Sequence, residues 1–222
     1  MCGRYVNNIP VPDVIYYFGV PKCFSPEKRF NIAPSQKVTI IRQQGQERVL
    51  AQIQWGLIPH WAKDPKIGYA MINARAETVA TKPSFRDAFR SRRCIVPASG
   101  FYEWKRGEKT KQPYYITRVD GAPMAMAGIW ERWASPEKPE EIIETFAIIT
   151  IEATGMVAQL HNRMPVVLER EEIGTWLDPH RGQKELQALL QPAADGLLEM
   201  RPVSDYVNKP DHEGAQCIKS LS

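Results

Sequence analysis

The chain has 222 residues, 43% of them hydrophobic and 24% charged, with a net charge of +4, values ordinary for a soluble globular protein with a substantial core. No apolar run approaches the roughly 20 residues of a membrane span, and the four cysteines (Cys2, Cys23, Cys94 and Cys217) show neither the paired spacing of a zinc site nor a disulfide framework. A sequence pI near 8.8 mildly favours a polyanionic partner, and without a signal layout at the N-terminus the expected setting is cytoplasmic.

Eighteen prolines cut the chain into short segments, the pattern of brief strands joined by turns. Residues 12–20 read as a short amphipathic helix, with Pro12 near its start and Val14, Tyr17 and Phe18 inward. Residues 38–42 and 49–55 form a strand pair across the polar turn 43–47. A second short helix, 85–92, follows Pro83. Consecutive strands are expected at 94–97, 100–105, 114–118, 124–130 and 146–151, with an exposed loop at 134–141. Helices at 169–177 and 183–190 and a strand at 200–203 complete the order. The fold class is α+β: one domain over residues 1–222, a curved or barrel-like, mostly antiparallel sheet with peripheral helices.

The most informative residue is Cys2. Removal of Met1 would make it the first residue, with an amine and a thiol two carbons apart. Such a 1,2-aminothiol traps an aldehyde as a Schiff base and then closes a five-membered thiazolidine. A buried cysteine acting as a small hydrophobe is the plainer alternative. Gly3 permits close backbone approach, and Arg4 places a cation beside the thiol, favouring thiolate or holding a phosphate.

Further along, Asn31-Ile32-Ala33-Pro34 reads as a turn presenting Pro34 as a rigid wedge or as an ordinary loop. Trp55-Gly56-Leu57-Ile58-Pro59-His60-Trp61 carries two tryptophans around a Gly/Pro bend, Trp55 suited to the core and Trp61 to base stacking. Alternation in residues 72–78 sets Asn73, Arg75 and Glu77 on one face, either solvated or a polar site. Arg86, Arg90, Arg92 and Arg93 form a basic cluster suited to a phosphate backbone. Glu103 lies among aromatics in Gly100-Phe101-Tyr102-Glu103-Trp104-Lys105, where burial would raise its pKa toward acid–base use, unless it faces water. His161, in Leu160-His161-Asn162-Arg163-Met164-Pro165, is either a proton shuttle or structural, with Arg163 a candidate phosphate ligand.

Taken together, these segments resemble the SOS response-associated peptidase family of abasic-site-processing proteins, in the family's order and over residues 2–208. The resemblance implies a barrel-like α+β fold with a positively charged groove. It implies binding to single-stranded DNA containing abasic sites, capture of the site as a covalent crosslink, weak strand cleavage as a side reaction and removal of Met1. By matching position, Cys2 is the nucleophile, with Asn73, Glu103 and His161 lining its pocket. Arg4, Arg75, Arg86 and Arg163 match positions that hold DNA phosphates, and Pro34 matches a wedge at the lesion. Ala62 departs from the aromatic that some members carry there, leaving stacking to Trp61. The implied chemistry needs no metal or organic cofactor, no membrane and no second copy of the chain; the expectation is a monomer. Two other classes stay open: an N-terminal-cysteine peptidase, whose amine serves as base for its own thiol, and a non-catalytic single-strand-binding module.

Overall fold

Strand β10 (Ile142–Glu152) organises the molecule, because each of its edges is shared between two partners. Along one edge its first half pairs in parallel with β4 (Glu47–Trp55), and its second half pairs in parallel with β5 (Asn73–Arg75). Along the other edge it meets β9 (Met124–Ala134) and then β11 (Arg163–Pro165), both antiparallel. From β4 the sheet continues through β3 (Lys37–Gln44) and β6 (Arg93–Ala98) to β9, which returns to β10 and closes a five-stranded barrel. Closure removes exposed edges from those strands. The short β12 (Val167–Leu168) pairs with β9 outside the ring. This computed structural model of the chain describes residues 2–21, 27–105 and 111–221, so Cys23 lies outside the described residues.

The second sheet is antiparallel throughout, in the order β13 (Leu198–Pro202), β8 (Gln112–Arg118), β7 (Gly100–Lys105), β1 (Tyr5–Asn7), β2 (Arg29–Ile32). Helices α1 (Val11–Phe18), α2 (Arg86–Ser91), α3 (Glu172–Leu177) and α4 (Gln183–Ala188) lie at the periphery. The α+β, mostly antiparallel, barrel-like class expected from sequence is therefore the one observed. Among the described residues no helix is long and apolar enough to cross a membrane.

Local chemistry accounts for much of this. The α1 stripe buries Val14 and Phe18, leaves Tyr17 only partly covered, and ends at Gly19, whose φ of +63° turns the chain and sends its N–H to the Ile15 carbonyl. Trp55 is fully buried, edge-on to Tyr5 and stacked on Phe146. The expected strands are present, several of them longer than read, whereas α3 begins later than residue 169 because 169–171 form a turn. Four segments correct or extend the sequence reading. Asn31 and Ile32 belong to a strand, so only the residues after them turn. Strands β1, β11 and β12 have two or three residues each, too few for a period to register, whereas β5 falls within the alternating segment read at 72–78.

Gly56 shows why the Trp-Gly step is needed. Its φ is +127°, and a Cβ there would sit 2.7 Å from the carbonyl oxygen of Gly68 in the 3-10 helix Pro65–Ala70. Backbone cannot yield as a side chain does, so Gly56→Ala is expected to cost about 2–3 kcal/mol. Urea denaturation measures it; a loss below about 0.5 kcal/mol would mean that the crossing relaxes freely.

Candidate functional site

The N-terminal segment reaches the centre of the molecule by extending the β1–β7 ladder: the Tyr102 N–H donates to the Arg4 carbonyl at 3.0 Å. Cys2 is fully buried in the apolar cluster that also holds Tyr5, Trp55, Phe101 and Ile148. From the other sheet, β5 supplies Asn73, whose Nδ2 donates to the Cys2 carbonyl at 2.9 Å. The Asn73 Oδ1 is buried and accepts no hydrogen bond. One side-chain amide therefore joins the two sheets at Cys2 and keeps an acceptor in reserve.

Around this contact lie two clefts. One, of about 460 Å³, is lined by Arg4, Glu103, Trp104, Lys111, His161 and Asn208. The other, of about 410 Å³, is lined by Asn73, Arg75, Lys82, Phe85, His161 and Arg163 among others. His161 stands where they meet. The Arg163 backbone N–H donates to its Nδ1 at 3.0 Å, so Nδ1 carries no proton and the neutral ring bears it on Nε2. Glu103 is 4% exposed, which decides for burial over the water-facing alternative.

Asn73 thus meets Cys2 directly and Glu103 lies near enough to act on its thiol, while His161 shares one cleft with Glu103 and the other with Asn73. The surroundings of Cys2 do not favour the expected thiolate. Burial, and then the nearby Glu103 carboxylate, push the Cys2 thiol well above its ordinary range. Arg4 does not offset them, because its guanidinium is engaged elsewhere. It donates to Asn31 Oδ1 at 2.7 Å, to the Val207 carbonyl at 3.0 Å and to the Asn208 carbonyl at 3.4 Å.

That engagement exposes a residue to which the sequence reading gave no role. Asn31 is fully buried, and its Nδ2 donates to the carbonyls of Val207, Lys209 and His212. It ties the C-terminal segment over the second sheet. Asn208, on that segment, accepts from Trp104 Nε1 at 2.6 Å and completes one wall of the Glu103 cleft. The signal in the sequence was a short polar side chain inside an otherwise apolar strand; its partners, more than 170 positions away, carried none.

The arginines divide by partner. Arg75 is exposed at the end of β5, with Ala74 and Ala76 buried beside it, as the alternation implied. Arg86 and Arg90 are exposed on α2, near Asp87. Arg92 pairs with the buried Glu131 at 2.7 Å. Arg93 is 4% exposed and donates to the carbonyls of Phe89, Arg90, Trp176 and Asp178, which removes it from the expected basic cluster. Arg163 forms a bidentate pair with Glu77, at 2.6 and 2.9 Å. Pro34, Trp61 and Arg86 line neither cleft. Pro34 is half-buried in a turn pinned by the Ser35 N–H on the Trp55 carbonyl. Trp61 is 50% exposed, while Ala62 is buried and accepts from Trp133 Nε1.

The chain is 42% identical to the abasic site processing protein YoqW of Bacillus subtilis, covering 99% of this chain and all of that one. It is 31% identical to the abasic site processing protein YedK of Escherichia coli over the whole of both chains. An X-ray structure of a Bacteroides thetaiotaomicron protein superposes over both full chains with a TM-score of 0.90 at 27% identity. With residues 1–210 matching the model of the SOS response associated peptidase (SRAP) family, the chain belongs to that family.

Proposed function

We propose that this protein processes abasic sites in single-stranded DNA by covalent capture through Cys2 after removal of Met1. The observation that carries the reading is the Asn73 contact: its Nδ2 holds the Cys2 carbonyl while its buried Oδ1 has no donor. An α-amine freed on Cys2 supplies a donor of the kind that Oδ1 lacks. The relatives named as abasic site processing proteins supply the substrate class.

In the proposed reaction Glu103 assists opening of the deoxyribose hemiacetal, taking the proton of the C1′ hydroxyl as the C1′–O4′ bond breaks and returning it to O4′, which becomes a hydroxyl. The Cys2 amine adds to the aldehyde carbon, and the carbinolamine loses water to give an imine. The Cys2 sulfur then adds to the imine carbon, and the thiol proton ends on nitrogen. Sugar, amine and thiol thus become thiazolidine and one water. A protonated thiol suits this last step. His161, protonated on Nε2, donates a hydrogen bond to a sugar oxygen. Weak β-elimination from the imine is the accompanying side reaction. Arg75 and Arg86, exposed, would contact phosphates, with Trp61 a platform for a base and Pro34 a wedge.

On a denaturing gel, protein lacking Met1 should shift single-stranded DNA carrying one abasic site and leave undamaged DNA unshifted, and Cys2→Ala should remove the band. A Cys2→Ala protein that crosslinks as well as the parent sinks the mechanism. Because the thiol is raised, its thiolate fraction at pH 8 is smaller than in free cysteine, so iodoacetamide should alkylate Cys2 more slowly than free cysteine. Equal or faster labelling contradicts the protonated thiol. For non-covalent binding, Arg75→Ala should lower the slope of log K against log salt by about 0.7, the contribution of one phosphate contact on a single strand; an unchanged slope removes Arg75 from the interface.

A further inference from the structure

Glu77 follows the end of β5, and its carboxylate occupies the outer fork of Arg163. Both terminal nitrogens of Arg163 are taken, at 2.6 and 2.9 Å, and Nη2 also donates to the Thr150 carbonyl. The Nε is buried without a hydrogen-bond partner, and the side chain is 14% exposed against 48% for Glu77. The pair sits at the cleft that also holds Arg75 and Lys82, neither of which forms an ion pair among the described residues. A carboxylate presents two coplanar oxygens to a guanidinium much as a phosphate does. The Arg163 charge is therefore balanced in place, and the hydrogen bond from Arg163 helps to hold the Glu77 carboxyl below its ordinary range, in its charged form.

We propose that Glu77 is a specificity-determining residue, standing where a backbone phosphate would otherwise bind Arg163. This inference rests on the single-stranded-DNA reading above. An intact strand gains a contact from Arg163 only by displacing Glu77, so backbone affinity stays low and residence is decided by capture at the abasic site. Glu77→Gln keeps the shape and removes the charge that holds the fork.

The test measures anisotropy of a labelled intact single strand over a salt series, with the parent, E77Q, R163Q, the double variant, and Glu144→Gln as a control. Glu144 is a carboxylate paired with Arg42 on the opposite half of β10. E77Q should bind the intact strand roughly three- to tenfold more tightly and steepen the salt slope by about 0.7. R163Q should abolish that gain, and Glu144→Gln should leave binding unchanged. An E77Q protein that binds like the parent, a gain that survives R163Q, or an equal gain from Glu144→Gln overturns the proposal. Circular dichroism checks the fold, with Glu77→Ala and Arg163→Met replacing any variant that does not fold. A parent with no salt-dependent binding to single strands defeats the earlier reading as well; an Arg75-dependent slope without a Glu77 effect defeats this inference alone.

Discussion

Strand β10 must satisfy two backbone edges over its length, and an unpaired buried amide or carbonyl costs on the order of 1–3 kcal/mol. Its edges are divided between β4 and β5 on one side and between β9 and β11 on the other. The first half of the strand closes the barrel, and the second half carries Asn73 and Arg75 on one flank and Arg163 on the other. His161 precedes β11 and is oriented by the Arg163 amide. The same ladder that completes the fold thus sets the spacing of the polar groups around Cys2.

Cys2 is reached from the second sheet. Strand β1 pairs with β7, which brings the N-terminal segment alongside the Glu103 strand, and the Asn73 amide crosses from one sheet to the other. The groups gathered there are buried or half-buried. Burial raises the Cys2 thiol, and the hydrogen bond from the Arg163 amide puts the proton of a neutral His161 ring on Nε2. A carboxylate beside a buried thiol, with a histidine ring in the adjoining clefts, suits the condensation proposed for Cys2.

The basic residues divide in the same way. Arg4, Arg93 and Arg163 serve the fold: one holds the C-terminal segment with Asn31, one caps carbonyls from two helices, and one is locked to Glu77. Arg75, Arg86 and Arg90 remain exposed. A net charge of +4 does not make this distinction, and counting arginines in one basic cluster overstated what faces a ligand.

Local pattern was enough for the long strands, the α1 stripe, the burial of Trp55 and the exposure of Arg75 and Glu77; it left the burial of Glu103 open and did not show that Asn73 reaches Cys2. The chemistry of an aminothiol at Cys2 is likewise a property of adjacent atoms and needs no fold to be read. The closing of the barrel, the strands β1, β11 and β12, the clamp of Asn31 and the rise of the Cys2 thiol were decided by tertiary structure alone. Each depends on partners far apart in the chain: Asn73 lies 71 positions from Cys2, and the Arg4 guanidinium meets a carbonyl 204 positions away. Side-chain periodicity records which face a residue turns inward, whereas the partner it finds there is set by strand pairing across the whole chain.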